Sequence, residues 1–397
     1  FKNIIEYNLT VISEGREYSQ DFISRFHFDE PKSCSPTSKR KPNIILLMVE
    51  SLSSYQSDYF SGVRNWTPNL DKIAQKNIAF TRFYANGFTT EDAEVALLTG
   101  QHPIYAPSSY SNGGETSFSG FYNPTDSLPR KLEHHGYETE FLTSADLSFS
   151  NTGVWAKSIG FNYVEGHKHN SYNSWERFNF KAAPDEALYQ RLLARVNFNK
   201  DRNYFLFAKT VSTHHPFVNP VNKNRSEEEA FRYADQQIDL LYKKLIENYF
   251  FDDGMLIIVG DHHAMVPLKK EEADILGEFR AAARVPLIIV GEGYATPTKS
   301  SYQQVDVFNS IKGLVSGESC NTDWVGDIFV EKPASYIAHR RGDNRNIISV
   351  FTDKADYLVS LNGDETAIDN SHDHPPVAKQ VLDKINAIRI LRQQQAK

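Results

Sequence analysis

Four short, almost wholly apolar runs narrow the fold of this chain more than any other feature. They are Asn43-Ile-Ile-Leu-Leu-Met-Val49, Tyr204-Phe-Leu-Phe-Ala208, Met255-Leu-Ile-Ile-Val259 and Val285-Pro-Leu-Ile-Ile-Val290. None alternates with polar residues, so both faces of each strand need cover, the pattern of a central strand in a parallel sheet. Helical periodicity fills the intervals. Thr67-Pro68 opens one helix, with an N-cap Thr and Pro at the first helical position. Ala230 to Glu247 sets Ala234, Ile238, Leu241 and Leu245 on one stripe. Strands alternating with helices predict an α/β fold with a mostly parallel central sheet flanked by helices.

The rhythm differs at both ends. Residues 1–40 are weakly periodic and close on Pro31-Lys-Ser-Cys-Ser-Pro-Thr-Ser-Lys-Arg40, which is linker chemistry. Beyond about residue 335, Ile347 to Phe351 and Ala355 to Leu361 read as short antiparallel strands, with a turn at Asn362-Gly363. Val377 to Leu391 reads as a closing amphipathic helix. The expected division is a linker over 1–40, an α/β catalytic domain over 41–335, and a small C-terminal subdomain over 336–397.

Composition removes several function classes. The 397 residues can bury a sizeable core. Lys and Arg number 43 against 50 Asp and Glu, so no basic surplus exists to drive nucleic-acid binding. The apolar runs are a few residues long, whereas a membrane helix needs about 20. Two cysteines, Cys34 and Cys320, exclude a disulfide scaffold and a cysteine-rich zinc module. They could bridge or stay free. A chain opening on Phe1, with no signal peptide, reads as an excised piece of a longer protein.

Ligands of open α/β sheets bind at the carboxyl ends of the strands. Glu50 follows the first run, Thr213-His214-His215-Pro216-Phe217 the second, and Gly260-Asp261-His262-His263 the third. One such His alone is usually a polar residue satisfied locally; together these ends suggest a carboxylate–imidazole metal site. Phe83-Tyr-Ala-Asn-Gly-Phe-Thr-Thr90 precedes a helix pattern. A Thr there can serve as a cap, or as a metal-activated nucleophile beside an anion-favouring helix end. The pairs His134/His135, His167/His169 and His372/His374 read as surface residues; the basic residues of His339-Arg340-Arg341-Gly342 could reach a phosphate, but the stretch reads first as a solvated turn.

These segments resemble the alkaline phosphatase/sulfatase superfamily, in its lipoteichoic acid synthase and phosphoglycerol transferase branch. Lys41 to Ser51 resembles the opening strand, Thr67-Pro-Asn-Leu-Asp71 the next helix, Phe83 to Thr90 the nucleophile loop, and Thr213 to Phe217 the substrate-histidine loop. Gly260-Asp-His262, Arg284 to Gly291, Val305-Asp-Val-Phe308 and Leu361 to Asn370 follow in superfamily order. The resemblance implies an alkaline phosphatase-like fold and one divalent ion, Mn²⁺ or Mg²⁺ with Zn²⁺ as a third option, held by Glu50, Thr90, Asp261 and His262. Thr90 would be the nucleophile. A count from Gly87 favours Thr89, but counts from Phe83-Tyr84-Ala85 and back from Leu98-Thr99-Gly100 both reach Thr90. His214, two residues before Pro216, would be the catalytic and substrate-binding histidine, with His215 a further substrate contact.

Departures choose the branch. A single Glu50 stands where sulfatases have paired aspartates, and Glu91-Asp92-Ala93 replaces Pro-Ser-Arg after the nucleophile. A low cysteine count turns the reading away from phosphoethanolamine transferases. Ser150 and Thr152 stand where the branch has Trp and Arg. Asp146 and Asn151 would bind glycerol hydroxyls, or merely cap helices. The implied reaction moves a phosphoglycerol group from a phosphatidylglycerol-type phospholipid donor to a glycan or polyglycerol phosphate acceptor, through a phospho-Thr intermediate. The implied place is the extracytoplasmic face of a membrane, anchored by N-terminal helices absent from this chain. The alternatives are a phosphoethanolamine transferase, phosphodiesterase or sulfatase on the same scaffold, or a non-catalytic lipid-sensing domain.

Overall fold

Alternate residues of the first apolar run enter two different cores: Ile44, Leu46 and Met48 one, Ile45, Leu47 and Val49 the other. That two-sided burial makes the run the centre of a sheet covered on both faces. A computed structural model describes residues 33–37, 40–105, 118–124, 126–291, 299–345 and 347–360, with 381, 384, 385 and 387–389. Its central sheet has seven strands. In chain order they are β1 (Asn43–Val49), β2 (Ile78–Phe80), β3 (Glu138–Thr143), β4 (Tyr163–Glu165), β5 (Tyr204–Lys209), β6 (Gly254–Gly260) and β7 (Leu287–Val290). Across the sheet they lie β2-β7-β6-β1-β5-β3-β4.

β1 pairs in parallel with both β5 and β6, and β5 with β3. β7 alone is reversed, antiparallel to β6 and β2. The apolar run from Val285 therefore yields a shorter strand of opposite direction. Burial on both faces dictates apolar residues at every position and carries no information about strand direction.

Five helices matter for the site: α1 (Pro68–Lys76), α2 (Thr90–Thr99), α3 (Asp185–Phe198), α4 (Glu227–Glu247) and α5 (Gln304–Ser316). Thr67 occupies the N-cap position of α1, but its side chain makes no cap bond. The Asp235 carboxylate of α4 does that work instead, accepting from Asn69 N at 3.1 Å and Leu70 N at 2.7 Å. α4 starts earlier than its apolar stripe because Ser226 caps it, accepting from Glu229 N. α2 is buried on nearly all sides, its acids Glu91, Asp92 and Glu94 included.

The C-terminal strands β8 (Ile337–Arg340), β9 (Ile347–Phe351) and β10 (Asp356–Ser360) form a small antiparallel sheet. β8 takes in His339 and Arg340, while Arg341 and Gly342 lie beyond its end, Gly342 exposed. The Asn362-Gly363 turn, His372 and His374 lie outside the described residues, as does most of the expected Val377 to Leu391 helix. Within the stretch expected to be linker, Ser33–Pro36 forms a strand antiparallel to Glu318–Asn321. Cys34 and Cys320 are joined there in a disulfide. Among the described residues, no helix is long and apolar enough to cross a membrane.

Candidate metal centre and active-site cleft

Parallel register builds the centre. Val49 of β1 lies opposite Gly260 of β6, so the next residues, Glu50 and Asp261, leave adjacent strands side by side. Gly260 is required at this point: a Cβ there would come within 1.9 Å of the Leu52 carbonyl oxygen. The chain beyond Glu50 doubles back over β6 through Ser51, whose φ is 57°. The Asp261 Oδ1 atom holds that turn by accepting from Ser51 N at 2.6 Å and His262 N at 2.7 Å. From the other neighbour strand, Thr210 accepts the Glu50 N–H at 2.9 Å, and the Thr213 hydroxyl donates to Glu50 O at 2.5 Å.

Three fully buried side chains then converge. Ligand atoms of Glu50, Asp261 and His262 all lie within 4.8 Å of one another. His262 Nε2 stands 3.3 Å from Asp261 Oδ2 and 3.7 Å from Glu50 Oε1. The other ring nitrogen, Nδ1, lies 2.8 Å from His263 O. A proton on Nδ1 leaves the Nε2 lone pair facing the cluster. Thr90 Oγ1 completes the set, donating to Glu50 Oε2 at 3.1 Å and lying 3.5 Å from His262 Nε2.

The electrostatics of the cluster call for a cation. Burial and the charge of Glu50 push the Asp261 carboxyl well above the usual carboxylate range. Burial would raise Glu50 too, but His262, His214 and hydrogen bonds from Ser51 and Thr90 more than reverse it and hold its carboxyl low. Burial lowers His262, yet Asp261 and Glu50 outweigh it and raise the ring. Asp261 Oδ2 is buried without a hydrogen-bond partner, which costs free energy unless something else meets it. Two carboxylates, an imidazole and a hydroxyl with one orphaned oxygen fit a divalent ion of the Mn²⁺, Mg²⁺ or Zn²⁺ class.

Thr89, not Thr90, caps α2: its side chain accepts from Asp92 N, and Thr90 is the first helical residue. The cap reading thus applies one residue earlier, which leaves the Thr90 hydroxyl free of capping duty. Both threonines line a cleft of about 310 Å³ together with Glu50, Thr210, Asp146 and His214. His214 Nδ1 lies 2.6 Å from His215 O, and its ring stands edge-on to Phe180 at 4.7 Å. Asp146 reaches the cleft wall engaged by Lys181 Nζ at 2.7 Å and by Ser148 N and Oγ at 3.0 and 2.8 Å; these bonds, Lys181 foremost, depress its pKa. His215 and Asn151 are not brought to the cleft. The exposed His215 ring packs against Phe217 at 5.4 Å. Asn151 is exposed at the start of the short helix Thr152–Ser158, without a side-chain cap bond.

Several residues near the site escaped the sequence reading. Lys209, the last residue of β5, lines the cleft and pairs with the fully buried Glu94 of α2 at 2.8 Å. Asp92 accepts from Phe88 N at 3.2 Å and from Tyr105 OH at 2.9 Å, and pairs with Arg340 at 3.3 Å. Its side chain packs so closely on Gly87 that a Cβ there would lie 2.3 Å away. His339 and Arg340 are correspondingly 1% and 2% exposed, not a solvated turn. His339 Nδ1 lies 2.9 Å from Ala85 O, and Arg340 N donates to Asn86 O at 2.9 Å. β8 therefore braces the loop that leads to Thr90. His263 is engaged by Glu272 at 3.0 Å, His167 faces Asp146 and His169 faces Glu165.

Comparison with known proteins places this geometry in context. The sulfatase family model matches residues 42–317. Phosphoglycerol transferase I of Salmonella arizonae is 25% identical over 289 residues, 67% of this chain and 36% of that protein. The chain thus spans about a third of the length of the curated relatives it matches. A solved protein of the alkaline phosphatase superfamily from Vibrio parahaemolyticus superimposes with a TM-score of 0.69, at 19% identity, over 96% of this chain and 97% of that one. A lipoteichoic acid synthase from Listeria monocytogenes gives 0.67, at 18% identity, over 91% and 92%.

Proposed function

Since the chain belongs to the sulfatase family, we propose that it is a metal-dependent transferase. It would move a phosphoglycerol group from a phosphatidylglycerol-type lipid to a hydroxyl of a glycan or polyglycerol phosphate. The observation that carries this reading is the Thr90 hydroxyl at the N-terminus of α2, bonded to Glu50 and facing His262 at the floor of an open cleft. The phosphoglycerol transferase relatives support the choice of transferred group.

The residues divide the chemistry between them. Glu50 Oε2 receives the Thr90 hydroxyl proton at 3.1 Å. The N-terminus of α2 favours negative charge on the oxygen left behind. A divalent ion held by Glu50, Thr90, Asp261 and His262 would supply Lewis-acid stabilisation of that charge. The Thr90 oxygen forms a bond to phosphorus as the bond to the diacylglycerol oxygen breaks, and His214 on the cleft wall hands a proton to that leaving oxygen. In the second half, His214 takes the proton of the acceptor hydroxyl. The acceptor oxygen bonds to phosphorus, the bond to Thr90 breaks, and Thr90 recovers its proton.

The proposed setting is the extracytoplasmic face of a membrane, with attachment through parts of the protein outside this chain. The Cys34–Cys320 disulfide supports an oxidising compartment. The test is to incubate the Mn²⁺-loaded protein with phosphatidylglycerol, phosphatidylethanolamine and an aryl sulfate in parallel, with the Thr90→Ala protein as blank. Diacylglycerol release from phosphatidylglycerol alone is the expected result. Preference for phosphatidylethanolamine would replace the donor with that lipid, and turnover of the aryl sulfate would overturn the transferase reading.

A further inference from the structure

A phosphodiester entering the cleft brings a negative charge, and the walls offer few cations to meet it. Arg345 stands on an exposed segment, its guanidinium 5.3 Å from the Phe88 ring. Lys209 is different in kind, because the fold builds it in. It is the last residue of β5, immediately before Thr210, whose hydroxyl accepts the Glu50 N–H. Its side chain is only 11% exposed, yet it forms part of the cleft wall.

Glu94 fixes where the ammonium sits. It is four residues beyond Thr90 on α2 and so lies on the same helix face, about one turn away. Lys209 Nζ lies 2.8 Å from Glu94, and Lys209 and Thr90 line the same cleft. As a stability device the pair makes poor sense. Glu94 is completely buried, and withdrawing two charges from water costs about as much as their attraction returns. Burial also raises the Glu94 carboxyl to about 7, against the pull of Lys209. The pair instead fixes a lysine side chain in the cleft wall, on the strand that also delivers Thr210 to Glu50.

We propose that Lys209 is the cation that receives the anionic phosphate oxygen of the substrate in the cleft, with Glu94 the positioning residue that fixes its ammonium beside Thr90. This rests on the reading of Thr90 as the group that attacks phosphorus. The shared chemistry is a phosphate esterified to glycerol, which a free glycerol phosphate or a lipid headgroup could supply.

The test uses the Thr90→Ala protein saturated with Mn²⁺, so that ligands bind without turnover. Calorimetry gives its affinity for glycerol phosphate and for short-chain phosphatidylglycerol, before and after Lys209→Met. Because Lys209→Met strands a buried acid, Lys209→Met/Glu94→Gln is measured beside it. The expected result is an affinity loss of about ten- to hundredfold, the scale of one charge-assisted hydrogen bond, with Mn²⁺ affinity unchanged and Lys209→Arg recovering most of the loss. Loss with the lipid but not the free phosphate, or the reverse, assigns the source of the group. Unchanged affinity for both ligands in the double variant would overturn the proposal. A donor preference for phosphatidylethanolamine would sink the phosphoglycerol reading alone, since the same Lys209 comparison can be run on that lipid's phosphate.

Discussion

The start of α2 separates two groups of buried acids that are balanced in opposite ways. On one side, Glu50 and Asp261 face each other with only His262 between them, and Asp261 Oδ2 has no hydrogen-bond partner. On the other, Asp92 is just as buried, but Arg340, Tyr105 and the Phe88 N–H all meet it. Burial is equal, so burial does not distinguish a ligand site from a brace. What distinguishes them is whether the protein supplies its own cation. An acid that lacks one is shaped for an ion from outside; an acid that has one holds the chain in place.

The largest effect should come from the uncompensated side. Asp261→Asn, which keeps the Oδ1 acceptor for Ser51 N and His262 N, is expected to abolish both Mn²⁺ binding and diacylglycerol release, while the thermal midpoint of the metal-free protein holds or rises, because a buried charge has been removed. A marked fall in that midpoint would mean that Asp261 is structural, and the contrast would fail. The compensated side should behave in reverse. Arg340→Met strands Asp92 and should cost about 3–5 kcal/mol in denaturant unfolding, the range for breaking a buried pair. A cost near zero would show that Asp92 relaxes to water, and the brace would have to lie elsewhere.

Acidity sharpens the comparison further. An acid whose pKa is raised by folding makes the folded state the better proton binder, so its contribution to stability is full below the unfolded value of about 4 and is lost as pH rises. Burial raises Glu94 and Asp306 to about 7 and Asp261 well above its usual range. His262, raised by Asp261 and Glu50 despite burial, adds loss only above its unfolded value of about 6.5, while His339, which burial lowers to about 4, offsets part of the acids' loss below that value. The metal-free protein should therefore lose stability between about pH 4 and 7. Saturating Mn²⁺ should flatten the part of that slope owed to the metal cluster. Denaturant midpoints across the range check both statements, and a slope of opposite sign would contradict them. The smallest effect belongs to Thr89→Ala, the lost helix cap, at about 1 kcal/mol of stability with turnover retained. If instead Thr89→Ala abolishes turnover and Thr90→Ala does not, the nucleophile is one residue away.

Much of this arrangement could be read from the chain alone, because strands buried on both faces write themselves as unbroken apolar runs. Glu50 and Asp261-His262 stood out because each follows such a run directly. Arg340 did not. A His-Arg-Arg-Gly sequence has the composition of a solvated turn, and its burial depends on Asp92, 248 residues away. Lys209 hid for a related reason: a lysine ending an apolar run looks like a strand surfacing into water, until Glu94 is seen beneath it. The reversal of β7 was invisible because its sequence has no direction. Charges compensated across long sequence distances are what single-sequence reasoning loses.

The Cys34–Cys320 bridge has a mechanical consequence. Whatever pulls on residues 1–32 meets a covalent bond at Cys34 and passes its load into Glu318–Asn321, directly after α5. The force path enters the far end of α5, while Gln304, at the opposite end of that helix, holds the carbonyls of Gly260 and Asp261 at 3.1 and 2.7 Å. A rigid helix thus stands between the point of traction and the metal cluster, so the leading segment can be tugged without shearing Ser33–Pro36 away from the body of the enzyme.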